Sequence, residues 1–401
     1  MVAMLAACAD EPGVDPLVLA GPSMGTTWRV EVATLPQRIA PEALEAELAE
    51  ILRSVDERMS TYRPDSELSR FNRSRSVDWF PVSADTARVV EASLDLSART
   101  GGAFDVTVGP LVSLFGFGPG PPPAEAPTPE QRRAAHASVG AARLAARSDP
   151  PALRMQVPER LVDLSAIAKG FAVDLLAEHL EARGIESYLV ELGGELRAGA
   201  RRPNGEPWRV GIERPREGRG ARGTAGTLAL ERRAVATSGD YRDFRVLDGE
   251  RVAHVLDPRS GLPVHTGVRS ATVVSASAME ADGFATALMV LGPDEGLALA
   301  EREGLAVRLL VSGDGELLAR STPAFDALLV GRPAGSALGR FLAALIVLLL
   351  AMAGLGAGLL LRGRALRAGC AGERCPAPCS ASPCAAHPST DPRANRQASE
   401  A

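Results

Sequence analysis

Leu161 to Glu195 reads L-V-D-L-S-A-I-A-K-G-F-A-V-D-L-L-A-E-H-L-E-A-R-G-I-E-S-Y-L-V-E-L-G-G-E. The pattern predicts a short apolar strand, a turn containing Ser165 and Gly170, an amphipathic helix and a second strand. Phe171, Leu175, Leu176 and Leu180 recur at helical spacing. Arg183-Gly184 closes the helix with a basic last turn and a C-cap glycine. Ser187 to Leu192 is the second strand, running into a Gly193-Gly194 turn. Asp163 before the turn and Lys169 beside the helix start mark a candidate anion site, since a helix N-terminus and a lysine both attract negative charge.

Upstream of this unit, Met24-Gly25-Thr26 forms a turn that leads into an alternating strand ending at Val32. Pro41 to Arg58 places Leu44, Leu48, Ile51, Leu52 and Val55 on one helical face. Met59 to Asn72 (M-S-T-Y-R-P-D-S-E-L-S-R-F-N) is polar and turn-rich. Its composition favours a surface loop over a lid or stacking platform built on Tyr62 and Phe71. Ser83 to Thr100 is a second amphipathic helix, closed by Gly101-Gly102. The proline-rich run Gly118 to Pro129 is incompatible with helix or central strand and reads as a surface insertion within one domain. Downstream, Trp208–Glu213, Ala234–Asp240 and Arg269–Ala276 read as strands, the last by alternation. Ala278–Val290 reads as a helix ending at Leu291-Gly292.

The chain has 401 residues and a net charge of −5, with 4% aromatics. That balance, with no basic stripe interleaved with aromatics, argues against nucleic-acid binding. No cysteine stands between Cys8 and Cys370, so the main domain uses neither a disulfide nor a cysteine nucleophile. Leu5-Ala6-Ala7-Cys8 has the shape of a lipoprotein cleavage site with Cys8 as the lipidated residue, but the basic n-region and the long apolar run are missing. Phe341 to Leu361 carries no charged or strongly polar residue and is long enough to span a bilayer. Arg362, Arg364 and Arg367 follow it, so the positive-inside rule puts the tail in the cytoplasm and the large domain outside. The expected organisation is a truncated signal and linker over 1–20, a catalytic domain over 21–325 and a linker over 326–340. A transmembrane helix over 341–361 and a cysteine-rich tail over 362–401 complete it.

Three clusters carry chemistry. Asp282 and Thr286 lie four apart on one helical face and offer hard oxygen donors that suit Mg²⁺ better than Zn²⁺. His254-Val255-Leu256-Asp257-Pro258 places a base or hydrogen-bonding group beside a turn. Asp163, Lys169 and the Gly193-Gly194 turn could meet a phosphorylated ligand, although neither a Walker sequence nor G-x-G-x-x-G is present. Singly, none decides a function.

Together and in order, these segments resemble the ApbE family, the FAD:protein FMN transferases, over roughly Gly21 to Arg320. The likeness rests on Met24-Gly25-Thr26, the Met59–Asn72 segment, Gly102-Ala103-Phe104-Asp105, Val162-Asp163-Leu164-Ser165 and Ala168-Lys169-Gly170. It continues through Leu192-Gly193-Gly194, Ala236-Thr237-Ser238-Gly239-Asp240-Tyr241, the His254–Pro258 segment, Ala281-Asp282 and Ala285-Thr286-Ala287. The resemblance implies an α+β, T-fold-related catalytic domain of two subdomains with FAD, the substrate, in the cleft between them. It implies that Met24, Tyr62, Ala103, Phe104 and Asp105 line the flavin end, while Asp163, Lys169 and Leu256 contact the rest of FAD. Asp282, Thr286 and the Ala166 carbonyl would hold Mg²⁺, and His254 and Asp257 would sit close to the reacting phosphates, with His254 the candidate base. An FAD pyrophosphatase, or a non-catalytic flavin-binding protein, would share the same ligands.

The tail, with Cys370, Cys375, Cys379 and Cys384 after the apolar run, resembles NqrM, a maturation protein of the Na⁺-translocating NADH:quinone reductase. That likeness implies a thiolate site for a soft metal such as iron. It also implies acceptor proteins resembling NqrB, NqrC, RnfG or RnfD, and a place in the bacterial inner membrane with the catalytic domain in the periplasm.

Overall fold

The computed structural model describes residues 16–330, apart from 160, 216–222, 242 and 314–315. By contacts the chain divides into Met1–Arg332 and Pro333–Ala401, and the described residues lie in the first unit. Cys8, the apolar run 341–361 and the four tail cysteines therefore fall outside them. Among the described residues, no helix is long and apolar enough to cross a membrane.

Eight strands form the main sheet, and their spatial order is their order in the chain. They are Leu17–Ser23, Thr26–Val32, Tyr188–Leu192, Glu195–Ala198, Arg233–Gly239, Val268–Ser275, Ala306–Ser312 and Leu317–Ser321. Every neighbouring pair is antiparallel. The first two strands meet in a two-residue turn in which Met24 and Gly25 have φ of 47° and 72°, the left-handed pair that suits a tight hairpin. Gly193 and Gly194 (φ 63° and 112°) turn the next hairpin, in a region where glycine alone is unstrained.

Side chains alternate across this sheet. Val190, Leu192, Ala234, Ala236, Ala271 and Val273 face the apolar core shared with the helices Pro41–Met59, Ala168–Ala182 and Ala278–Arg302. Leu189, Leu196, Val235 and Val274 point the other way, onto the hairpin Trp208–Glu213/Thr224–Leu230 and Phe325. Both faces are thus covered. Val268–Ser275 accordingly is buried at nearly every position, where its sequence suggested a half-exposed, alternating strand. A separate three-stranded sheet (Phe80–Pro81, Pro151–Met155, Leu144–Ser148) stands with the helix Ala84–Arg99. Its Leu144, Leu153 and Met155 belong to the same core as Val30 and Leu176.

The structure corrects three local expectations. Leu161–Leu164 is not a strand: its backbone bonds go to the Asn72 side chain, which brackets Val162 at 2.8 and 2.9 Å, and from Asp163 N–H to the Val106 carbonyl at 2.8 Å. Met59–Asn72 is no plain surface loop, because Glu67–Arg73 is a helix capped by Ser66, with Leu68 and Phe71 fully buried. Gly170 sits in the first turn of the helix Ala168–Ala182, not in the turn before it. The break at Gly292 is as expected: its φ of 79° kinks the chain, and a second helical stretch starts at Pro293. The run 118–128 holds neither helix nor strand, and Pro129 then opens a helix capped by Thr128.

Candidate active site

The helices Ala168–Ala182 and Ala278–Arg302 cross at Gly170. A Cβ there would lie 2.3 Å from the Ala278 carbonyl oxygen, so only glycine permits the contact. The close approach lets Gly170 N–H donate to the Asp282 carboxylate at 3.1 Å. Asp174, one turn further along the first helix, fixes the start of the second by accepting from Ala278 N–H, Met279 N–H and the Ser277 hydroxyl. Carboxylates are well placed at a helix N-terminus, where unpaired amides converge.

Asp282 is 3% exposed. Burial pushes its carboxyl up to about 7; the Lys169 ammonium opposes that shift and the nearby Glu195 carboxylate adds to it. Thr286 follows one turn later, its hydroxyl 3.1 Å from that of Ser238 on the neighbouring strand. Lys169 ion-pairs with Glu195, the first residue of the strand after the Gly193-Gly194 turn. Both carboxylates, the lysine, Ser238 and Thr286 line one cavity of about 360 Å³.

The opposite wall comes from loops. Asp163 and Ala166 line the cavity, with Asp163 accepting from the Ser165 amide and hydroxyl at 2.9 and 2.5 Å. Ala103, Phe104 and Asp105 line it as well. The Asp105 carboxylate is spent on structure, accepting from Thr107 N–H, the Thr107 hydroxyl and Ala141 N–H at 2.7–2.8 Å. Tyr62 stands at the mouth, 65% exposed, its hydroxyl donating to the Phe117 carbonyl at 2.9 Å. Partial burial of that hydroxyl, with Asp163 and Asp243 nearby, raises its pKa. His254 and Leu256 complete the lining. His254 Nδ1 lies 3.0 Å from the Asp243 carbonyl oxygen. A carbonyl only accepts, so Nδ1 carries the proton and a neutral ring leaves Nε2 as the free base.

Eleven sequence-expected residues therefore converge on one cavity: Tyr62, Ala103, Phe104, Asp105, Asp163, Ala166, Lys169, His254, Leu256, Asp282 and Thr286. Met24 and Asp257 are outside its lining. Met24 occupies the hairpin turn, and the Asp257 carboxylate is held by Arg259 through its amide and guanidinium at 2.9–3.1 Å. Glu195, Ser238 and Phe117 join the site without having been expected there. Glu195 had a signal: a charge directly after a glycine turn, entering a strand that must be buried.

Among the described residues no group of three or more His, Cys, Asp or Glu side chains is arranged to hold a metal ion. The donors present suit Mg²⁺ nevertheless, because that ion takes one or two carboxylates and completes its shell with water and substrate phosphate. Asp282 is the buried carboxylate, its charge disfavoured by burial and therefore stabilised by a nearby cation. Thr286 and the Ala166 carbonyl are hard oxygen donors in the same cavity.

The family model for the ApbE family matches residues 24–309. An FAD:protein FMN transferase of Vibrio cholerae is 42% identical over 311 residues, covering 78% of this chain and 91% of that protein. The one of Escherichia coli K12 is 38% identical over 315 residues, covering 78% and 89%. Among solved structures, flavin transferase ApbE from Vibrio cholerae superposes with a TM-score of 0.72 at 41% identity, covering 79% of this chain and 99% of that one. The apo flavinyl transferase ApbE of Pseudomonas stutzeri gives 0.72 at 40% identity, covering 79% and 98%.

Proposed function

The chain belongs to the ApbE family, and from that premise we propose that it is an FAD:protein FMN transferase, moving FMN from FAD to a threonine or serine hydroxyl of an acceptor protein and releasing AMP. The observation that carries this reading is the convergence of Tyr62, Asp163, Lys169, His254, Asp282 and Thr286 on one cavity.

Asp282, Thr286 and the Ala166 carbonyl would hold Mg²⁺, which when bound neutralises charge on the FAD pyrophosphate. Lys169 supplies a second positive charge toward the phosphate that leaves with AMP. The acceptor oxygen attacks the FMN phosphorus, and the bond from that phosphorus to the AMP oxygen breaks. The acceptor's proton goes to His254 Nε2, which the Nδ1–H···O=C bond to Asp243 leaves unprotonated in the neutral ring and orients. The exposed Tyr62 ring offers a stacking platform for the flavin. No covalent enzyme intermediate is needed, since positioning and charge neutralisation account for the step.

The reading extends to the chain ends. Phe341–Leu361 anchors the protein in the bacterial inner membrane with the catalytic domain on the periplasmic side, and Cys8 is a lipidation site. The NqrM-like tail holds a soft metal such as iron through Cys370, Cys375, Cys379 and Cys384. The acceptors are NqrB-, NqrC-, RnfG- or RnfD-like subunits of a Na⁺-translocating NADH:quinone reductase or a related complex. The arginines that follow the apolar run support that orientation.

The test incubates the full chain with FAD, Mg²⁺ and a candidate acceptor, then weighs the acceptor by mass spectrometry. A gain of one FMN that a chelator prevents supports the transferase and its ion together. Free FMN and AMP without a mass gain would make it a pyrophosphatase. Bound FAD with no AMP would leave a flavin-binding protein.

A further inference from the structure

We propose that Glu195 is a positioning residue that keeps the Lys169 ammonium away from Asp282, so that the Asp282 carboxylate stays available to a divalent cation. This rests on the cation site proposed above and adds a residue to it.

The strand Glu195–Ala198 alternates. Leu196 faces the outer apolar cluster, so Glu195 and Arg197 face the helices. Both meet the helix Ala168–Ala182: Arg197 pairs with Asp174 at 2.7 Å and with Glu181 at 3.8 Å, and Glu195 pairs with Lys169. Glu195 is 4% exposed, and its second carboxylate oxygen is buried without a hydrogen-bond partner. That oxygen abuts the glycine turn, where a Cβ on Gly193 would lie 3.4 Å from it. A buried carboxylate with one oxygen unsatisfied is costly. Its other oxygen pairs with the Lys169 ammonium.

Lys169 and Asp282 line the same cavity. The lysine acts electrostatically on Asp282, as Glu195 does. Two buried carboxylates thus share one ammonium. With Glu195 neutral, Asp282 would compete for that flexible cation, and an ammonium on Asp282 would exclude a divalent ion by occupancy and by repulsion. Glu195 prevents this by holding the ammonium from the strand side.

The measurement is Mg²⁺ binding to the full-length protein by calorimetry without FAD, with Mn²⁺ and electron paramagnetic resonance as a second readout. Glu195→Gln preserves shape and removes the charge, and is expected to weaken binding at least tenfold. Glu195→Gln combined with Lys169→Met is expected to restore affinity to within about threefold of the parent, a rescue that a merely structural glutamate would not show. Lys169→Met alone should bind the ion at least as tightly as the parent, which keeps the test open should Glu195→Gln fail to fold. Unchanged affinity in Glu195→Gln, no rescue in the double variant, or weaker binding in Lys169→Met would overturn the inference. If the parent binds no ion that Asp282→Asn abolishes, the proposed cation site itself falls, which is a separate result.

Discussion

Gly170 N–H donates to the Asp282 carboxylate at 3.1 Å across a helix crossing that tolerates no side chain at Gly170. The glycine therefore has two duties: it allows the helices to touch, and it orients the acid of the site. Gly170→Ala forces a methyl group against backbone atoms of Ala278 and Met279, which cannot swing aside as a flexible side chain would. The expected cost is about 1–3 kcal/mol of stability, as for an overpacked core. Denaturant unfolding measures it. Unchanged stability together with unchanged Mg²⁺ affinity would mean that the crossing is looser than its geometry indicates.

Asp282→Asn keeps the size of the side chain and removes its charge. Turnover is expected to fall on the order of a hundredfold or more, given the several kcal/mol that a catalytic ion supplies. The fold should tolerate the change, because burial already disfavours the charged form. Full Mg²⁺-dependent activity in this variant would remove Asp282 from the site.

Cation binding should depend on pH with a sign set by the same group. The carboxyl of Asp282 is raised to about 7 in the fold, while an unfolded aspartate ionises near pH 4. Between those values the folded protein holds the extra proton, so the ion-free protein loses stability as pH rises from about 4 through about 7. Mg²⁺ must displace that proton. Its apparent affinity should rise up to about tenfold per pH unit below about 7 and level off above it. Calorimetry from about pH 5.5 to about pH 8 reads this directly, and Asp282→Asn should flatten it. A flat profile in the parent would show that Asp282 does not gate the ion.

How much of this was legible in the chain differs from residue to residue. The helix Ala168–Ala182 and its glycine stop at Gly184 (φ 79°) follow from local periodicity and capping, as does the break at Gly292. Thr286 and Asp282 share a helical face by spacing alone. Leu161–Leu164 misled because an apolar run looks the same whether its partner is a strand or the Asn72 side chain. Ser238 enters the site through strand order, and long-range pairing leaves no local trace, whereas Glu195 is marked only by its place directly after the glycine turn. Asp257, read as close to the reacting phosphates, lies outside the cavity lining and pairs with Arg259 two residues away.

Tyr62 is a large aromatic left 65% exposed at the rim of the cavity, a cost that stacking on a planar ligand would offset. Tyr62→Ala should weaken FAD binding by about 1–3 kcal/mol, the range for base-on-aromatic stacking. Tyr62→Phe keeps the ring and loses only the bond to the Phe117 carbonyl, so it should cost no more than about 1 kcal/mol. Fluorescence titration with FAD separates the two. Equal affinity in all three proteins would return Tyr62 to an ordinary surface residue.

His254 makes its hydrogen bond through Nδ1 to the Asp243 carbonyl and faces the cavity, so its contribution should appear in the chemical step more than in binding. His254→Ala should lower the single-turnover rate of FMN transfer by about 10²–10⁴-fold, the usual worth of a positioned base. FAD affinity should stay within a few-fold, because the stacking and charge contacts lie on other elements. Rapid-quench analysis of AMP release, beside an FAD titration, distinguishes the two effects. A variant that transfers at the parental rate would pass the role of base to another group. One that merely fails to bind FAD would make His254 a ligand contact, and the proton would then need another acceptor near the hydroxyl.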